Sequence, residues 1–512
     1  MRGAWCGLVL CATACGSSGG RLANAADGGG GGVIVSIPDA GIDAGTLPDA
    51  GLDGGLPDAG VDGGRPDAGP LGGGDWRQFR HDARGGSENG GIFAAAEAPN
   101  LREAWPANEF GQFVYTQAVV GDGIAVYTTA FSGQVIAIDQ ATGRERWRRT
   151  DLTSPITTNC EGTKKPGYWS AAAIENGVVY AASPDGSAYA LRASDGSTLW
   201  SARIADPTAA GHGEFVQSSP AVSTALGRLY LGVASSAHCD EVAGRIVAVD
   251  LASGAVQSQP LVNPGQQGAT IWSSIAIAED ENRLYATTGN RIGPASAEPN
   301  AQAFLAIDPH TLTVLDRWQN PTALENSDFG SSPALVDAGG LKLIAATSKD
   351  GNLYVLRRDA LAAGPVWTYP IATIDPANPT VGGDPTIGFG SISTPAVAHG
   401  LLYAAGGRTP SGAPGQVVAF RPDTGSVVWH RDLAGYVIAP IAAAGEILAL
   451  ETSAPDFSTS SLVILDAATG NVLRSFSAPV ATFAAPTIAR GAIYWTDQDG
   501  HAAVYAVPAY RR

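Results

Sequence analysis

Gly133-Gln134-Val135-Ile136-Ala137-Ile138-Asp139, with Thr142-Gly143 and Trp147 close behind, is the stretch that decides the fold. A glycine turn leads into a run of Val, Ile and Ala, which reads as a strand with a buried face. A Thr-Gly turn follows, where glycine takes positive φ at no steric cost. The next strand ends in Trp, a side chain able to bury on the order of 200 Å² between neighbouring elements. The same unit recurs from Gly186 through Asp195-Gly196 to Trp200, and from Gly415 through Thr424-Gly425 to Trp429. Degenerate copies run from Gly244 to Ser253-Gly254, from Ala303 to Trp318, from Gly351 to Trp367 and from Ser461 to Thr469-Gly470; Gly500 to Val507 is a last half-copy. One copy describes any β-hairpin. Eight copies, spaced roughly 45–60 residues apart, describe four-stranded blades around a channel. The prediction is an all-β, eight-bladed β-propeller over residues 75–512.

An open stack of blades would leave a strand edge unpaired. Asp75-Trp76-Arg77-Gln78-Phe79-Arg80 and Leu101-Arg102-Glu103-Ala104-Trp105 read as half a unit, while the last unit lacks its Trp-bearing strand. Residues near 101–105 are therefore expected to complete the eighth blade and hide the edge.

Working outward, the composition fits such a fold: 66 Gly supply the many turns, and Lys and Arg together number only 31. The net charge of −17, without a basic cluster, would repel a phosphate backbone and speaks against nucleic acid as a partner. Residues 1–15 open with Met1-Arg2, pass through apolar Gly7-Leu8-Val9-Leu10 and reach Ala12-Thr13-Ala14-Cys15. That is a signal peptide, and small residues before a cysteine resemble a bacterial lipoprotein cleavage site with Cys15 as the acylated residue. Ala12 stands where such sites usually carry Leu. Ordinary signal cleavage is the other reading. No later run of 18 or more apolar residues follows, so the expected membrane contact is the lipid anchor alone. Residues 16–74 then repeat Pro-Asp-Ala-Gly at 38–41, 48–51, 57–60 and 66–69 without an aromatic. With little to bury against the entropy of ordering, this segment reads as a disordered, extended linker. The expected setting is the cell envelope, in the periplasm or at the outer-membrane surface.

Together these residues resemble the pyrroloquinoline quinone (PQQ) propeller family over about residues 75–512. The family includes quinoprotein alcohol dehydrogenases and cofactor-free scaffolds such as the lipoprotein of the outer-membrane β-barrel assembly machinery. Several positions resemble the dehydrogenase branch. Trp272-Ser273-Ser274 precedes Leu284-Tyr285-Ala286-Thr287-Thr288-Gly289-Asn290. The resemblance implies that Trp272 stacks under the quinone and that Asn290 binds Ca²⁺. Ser327-Asp328-Phe329-Gly330 resembles the segment of the catalytic base, making Asp328 that base and a calcium neighbour. Ser348-Lys349-Asp350-Gly351 resembles the segment whose cation contacts the quinone oxygens, here Lys349. Cys160, Lys165 and Trp169 fall in a segment like the cofactor cap, with Lys165 and Cys160 toward the cofactor. The calcium-binding Glu should fall near Ser236-Ala237-His238-Cys239-Asp240-Glu241, where Asp240, Glu241 or neither serves. The dehydrogenases carry two adjacent cysteines in the cap, and this chain has Cys160 alone, so a Cys160–Cys239 disulfide is expected if both loops meet, as export permits.

The residue types suit the implied chemistry. A planar tricarboxylated quinone needs an aromatic face, cations and a hard metal; Ca²⁺ takes oxygen ligands and polarises a carbonyl. A carboxylate removes the alcohol proton while hydride passes to the quinone. Plainer readings stand beside these. Trp272 equally suits blade packing, Asn290 a turn with positive φ, and Asp328 a turn role, while the lysines suit a solvated surface. Two functions remain open from the sequence. One is a PQQ- and Ca²⁺-dependent dehydrogenase of alcohols or sugars that passes electrons to an external acceptor, since no C-x-x-C-H haem site occurs. The other is a cofactor-free scaffold whose loops bind an envelope protein.

Overall fold

The structure is a computed structural model that describes residues 74–508, apart from 91–92, 112–113, 131–132, 159–161, 165–166, 208–212, 236–241 and 457. The leader with Cys15, and the linker up to residue 73, lie outside the described residues. Eight blades follow in chain order, spanning 119–149, 173–203, 221–260, 276–319, 334–370, 396–433, 442–478 and 487–506. In each blade the strands pair antiparallel in sequence order, so the chain enters at the innermost strand and leaves outward.

The turn and the Trp of the repeat turn out to be two halves of one joint between blades. At the turn of the first blade, the Asp139 carboxylate accepts from Thr142 N at 2.8 Å and from its hydroxyl at 2.7 Å. One blade on, Gly196 takes φ 71°, and a Cβ there would lie 2.7 Å from Cε3 of Trp147 in the blade before. The Trp147 indole donates to Ala193 O at 2.8 Å. The same hydrogen bond recurs from Trp200 to Leu251 O, Trp367 to Pro422 O and Trp429 to Ala467 O. A Trp therefore needs a glycine opposite it, which is why the two travel together in the sequence. The exception supports the rule. The outer strand Val256–Pro260 of the third blade has no Trp, and the fourth blade carries Leu312 at the turn, buried and at φ 61°. The leucine is buried in the core that joins the third and fourth blades.

The ring closes as expected. Arg102–Glu103 pairs with Ala506 and Tyr505 as the outer strand of the eighth blade, and Asn108–Glu109 extends it along Ala502 and His501. Trp105 then covers Gly143 of the first blade, as the other tryptophans cover their glycines. His501 holds this closure between Asp497 at 2.9 Å and Glu109 at 3.1 Å. One continuous core joins the last two blades to the first and includes Trp76, Phe110, Tyr127 and Tyr494.

Residues 75–80 correct the expectation that they form half a unit. They belong to no blade. The segment 74–89 instead reaches the inner strands, or the residues just before them, of all eight blades. Trp76 exchanges two backbone hydrogen bonds with Val120, and Arg77 O accepts from Ile174 N. The Gln78 amide brackets Val222, accepting from its N at 2.7 Å and donating to its O at 3.0 Å. Ala83 O, Gly86 O and Ser87 O accept from Ile277, Val397 and Ala443. Arg80, wholly buried, donates to Ser332 O and Pro333 O, and Asn89 donates to Ile488 O. An axial hub thus stands where the sequence suggested part of a repeat unit.

Candidate functional site

The antiparallel order fixes which loops share a face. Connections from one blade to the next, and turns between second and third strands, emerge on one face; the remaining turns emerge on the other. Trp272 lies in the connection into the fourth blade and Asn290 after that blade's second strand. Asp328 lies in the connection into the fifth blade and Lys349 after its second strand. All four belong to the same face. The hub's charged residues pair with turns of the opposite face, Arg77 with Asp122 and Arg84 with Asp280.

Three of the four meet directly. The Trp272 indole donates to Asp328 Oδ2 at 2.7 Å, and Lys349 Nζ lies 2.8 Å from Oδ1. The same ammonium sits 5.1 Å from the Trp272 ring centroid, a cation–π distance. Asp328 is 3 % exposed, so this ion pair is a buried one. Its neighbour Phe329 anchors the segment, wholly buried between Phe304 and Tyr354. Gly330 lets the indole lie close: a Cβ there would stand 2.0 Å from Cη2 of Trp272. Lys349 N donates to Asp328 O, and Ser348 Oγ donates to Ser327 O at 2.9 Å, which docks the lysine turn on the aspartate segment.

Asn290 joins this group through its neighbours. Its Nδ2 donates to Asn326 Oδ1 at 2.8 Å, two residues before Asp328, and Gln302 Nε2 reaches both Asn290 Oδ1 and Ser327 Oγ at 3.4 Å. Asn290 does not take positive φ, which removes the turn reading for it. Trp272 covers no turn glycine of the blade joints, and its indole donates to a carboxylate instead of a backbone carbonyl. Cys160, Lys165, Cys239 and Glu241 lie outside the described residues, and with them the Cys160–Cys239 disulfide and the cap. Among the described residues, no group of three His, Cys, Asp or Glu side chains is placed to hold a metal ion.

A second set of site-positioning residues was present in the sequence but unassigned. Ser218-Ser219-Pro220, Ser273-Ser274-Ile275, Ser331-Ser332-Pro333 and Ser393-Thr394-Pro395 each precede an innermost strand. Their hydroxyls link the connections into the second to sixth blades one to the next. Ala171 N donates to Ser219 Oγ, Ser219 N to Ser274 Oγ, Ser274 N to Ser332 Oγ and Ser332 N to Thr394 Oγ1, at 2.8–3.1 Å. The Ser274–Ser332 link ties the Trp272 connection to the Asp328 connection. A repeat of Ser-Ser/Thr before four of the eight inner strands was the available signal.

Further round the same face, Glu451 is wholly buried, with its Oε1 2.6 Å from Ser453 Oγ, which also bonds Thr482 O at 3.1 Å. Burial pushes its carboxyl well above the usual carboxylate range. The folded state therefore keeps a proton that the unfolded chain releases above the ordinary range. Stability falls as pH rises from there toward the folded value. Glu451→Gln is expected to flatten that fall and to raise the melting temperature at pH 8 by about 2 °C or more relative to pH 5. Parallel thermal melts of both proteins at the two pH values check this; equal differences at both would disprove it.

Comparison with known proteins places these residues in context. A PQQ-repeat family model described as outer membrane protein assembly factor BamB matches residues 88–302 and 413–508, more than half of the chain. The chain is 24 % identical over 281 residues to quinohemoprotein alcohol dehydrogenase ADH IIB of Pseudomonas putida, a match covering 46 % of this chain and 39 % of that protein. It is 25 % identical over 252 residues to polyvinylalcohol dehydrogenase of Sphingopyxis sp. (strain 113P3), covering 44 % and 36 %. The matches thus span less than half the length of these curated relatives. Among solved structures, quinohemoprotein alcohol dehydrogenase from Comamonas testosteroni superposes with a TM-score of 0.65 at 18 % identity, covering 85 % of this chain and 80 % of that one. At that identity the likeness is one of fold.

Proposed function

This chain belongs to the PQQ-repeat propeller family whose model is described as outer membrane protein assembly factor BamB, and from that premise we propose that it is a PQQ- and Ca²⁺-dependent dehydrogenase of alcohols or sugars, exported and lipid-anchored in the cell envelope. The single observation that carries this reading is the meeting of Trp272, Asp328 and Lys349 on one face. A fold needs no buried carboxylate wedged between an indole and an ammonium at a loop junction, and burying that pair costs desolvation. The names of the curated relatives, both alcohol dehydrogenases, point the same way.

The donor set suits the group. Trp272 is half-buried and offers an aromatic ring, Lys349 offers a cation to carboxylate or quinone oxygens, and Asn290 and Asp328 offer the hard oxygens that Ca²⁺ takes. PQQ when bound supplies the two-electron acceptor, with Ca²⁺ as Lewis acid. The chain's own work is then confined to a few atoms. Asp328 accepts the hydroxyl proton of the substrate on its carboxylate. Lys349 sets a positive charge 2.8 Å from that carboxylate. The Trp272 indole N–H fixes its orientation through Oδ2. Gly330 and the Ser274–Ser332 link hold the two connections at the spacing this needs. Electrons leave to a separate acceptor in the envelope.

The second reading, a cofactor-free scaffold that binds an envelope protein, is favoured by one feature of the same cluster: Trp272 and Lys349 already engage both oxygens of Asp328. Titration of PQQ with Ca²⁺ onto the purified protein separates the two. Saturable binding at micromolar PQQ, with dye reduction by an alcohol or sugar that needs both additions, is expected. Lack of binding would leave the scaffold.

A further inference from the structure

The longest connection between blades, 371–395 from the fifth to the sixth, folds back onto the two segments that carry Asp328 and Lys349. Val381 pairs with Glu325 in an isolated parallel bridge, and Gly382 N donates to Glu325 O at 2.7 Å. The next residue turns to the other segment: Gly383 N donates to Lys349 O at 2.6 Å. Ser391 N donates to Ser348 O at 3.2 Å on the same side. Two consecutive backbone N–H groups thus hold the aspartate segment and the lysine turn together. The side chains of Asp328 and Lys349 meet at 2.8 Å where these two segments touch.

So close an approach needs bare backbone. A Cβ at Gly382 would stand 2.6 Å from Ser327 Cα, and one at Gly390 2.5 Å from Lys349 O. The stretch between these glycines is braced from within. Asp384 Oδ1 accepts from Thr386 N at 2.9 Å, Phe389 N donates to Asp384 O at 3.0 Å, and Gly390 N donates to Thr373 O at 2.8 Å. It is also braced from the sixth blade. Arg408 N donates to Gly388 O at 2.7 Å, and the Arg408 guanidinium lies 5.2 Å from the Phe389 ring centroid. Joining two blades needs none of this, since 434–441 and 479–486 do so with far shorter chains. What the longer connection adds is a fixed distance between the Asp328 segment and the Lys349 turn.

We propose that residues 381–391 are a backbone clamp that sets the geometry of the Asp328–Lys349 pair, with Gly382 and Gly390 as its positioning residues; its effect on turnover rests on the dehydrogenase reading, and its effect on geometry does not. The test is Gly390→Ala in the full chain, with Gly400→Ala as control. Both glycines take φ 70°, so both substitutions carry the same backbone strain, but a Cβ at Gly400 meets no described atom within 4 Å. The first readout needs no cofactor. In protein carrying isotope-labelled tryptophan, the indole N–H resonance of Trp272, identified by its loss in Trp272→Phe, reports the donation to Asp328 Oδ2. That resonance is expected to shift in Gly390→Ala and to stay in place in Gly400→Ala. The second readout uses PQQ, Ca²⁺ and an alcohol. Misplacing the base is expected to lower kcat about tenfold in Gly390→Ala with KM held within about twofold. Gly400→Ala is expected to keep both constants. Arg408→Leu, which removes only the cation over Phe389, keeps the test open should Gly390→Ala fail to fold, and is expected to move the same resonance. A Trp272 resonance that stays in place in the folded clamp variants, or moves equally in Gly400→Ala, overturns the clamp. So does a kcat that holds in Gly390→Ala while the wild type turns over, and the dehydrogenase then stands. A resonance that moves in a protein oxidising no alcohol supports the clamp and overturns the dehydrogenase.

Discussion

Asp328→Asn is expected to lower PQQ-dependent alcohol oxidation by about 10³-fold, the range lost when a general base is removed. The substitution keeps the shape of the side chain, and the amide oxygen still accepts from the Trp272 indole. What disappears is the carboxylate that takes the hydroxyl proton and that faces Lys349 Nζ at 2.8 Å. The loss should therefore appear in kcat, with PQQ binding by the Trp272 face retained. A second consequence follows from burial. Lys349 keeps only 11 % of its side chain exposed, so without its partner the ammonium is left uncompensated. A destabilisation of about 1–3 kcal/mol accompanies the kinetic loss. Lys349→Ala leaves the opposite charge stranded and should cost about 3–5 kcal/mol. Stopped-flow dye reduction and denaturant melts measure the two effects separately. Full turnover in Asp328→Asn would assign the base elsewhere and reduce the cluster to a structural ion pair.

The parts of this molecule that could be read from sequence are those governed by local rules. A glycine at positive φ with a Trp above it is a joint made at every blade junction that carries it, so it recurs in the sequence at the blade period. The completion of the eighth blade near residue 101 could be read because the last unit is short of one strand, and unpaired edges are costly. Leu312 shows where the pattern is hardest to see: the turn survives, but its glycine and the matching Trp are lost together. The hub at 74–89 had no such signature. Its contacts are a few hydrogen bonds to each blade without a fixed spacing, many of them to residues more than a hundred positions away, and such a series has no period. Counting residues 75–80 into half a repeat unit with 101–105 follows from sequence likeness alone, and the hub's contacts contradict it for 75–80. For the candidate site, the resemblance located Trp272, Asp328 and Lys349, and three-dimensional contact joined them. The Ser-Ser/Thr steps that hold the loops in place repeat in the sequence, but small hydroxyl residues before a strand are common enough to pass unremarked. Their role depends on a neighbour one blade away, which no window of sequence contains.

The hub leads to the largest expected effect on stability. Trp76→Ala should cost about 4 kcal/mol, the magnitude for truncating a fully buried Trp. Trp76 has no exposed surface, contacts His81 edge-on at 5.2 Å between centroids, and sits in the core that joins the last two blades to the first. Trp429, half-buried at a single joint between the sixth and seventh blades, provides the control; its loss should cost about half as much. The reasoning turns on closure. Blades that touch only their neighbours behave as a chain of repeats, where damage at one joint is felt next door. A segment bonded to every blade, at its inner strand or just before it, couples all blades at once, so weakening its anchor on the first blade loosens both the ring seam and the axis. The melting temperature should fall by roughly 4 °C for Trp76→Ala, scaled by the unfolding entropy of a domain this size, and unfolding should broaden as the seam opens ahead of the rest. If Trp429→Ala proved the more damaging of the two, the ring would be held by its outer joints, and the axial segment would be a passenger in the channel.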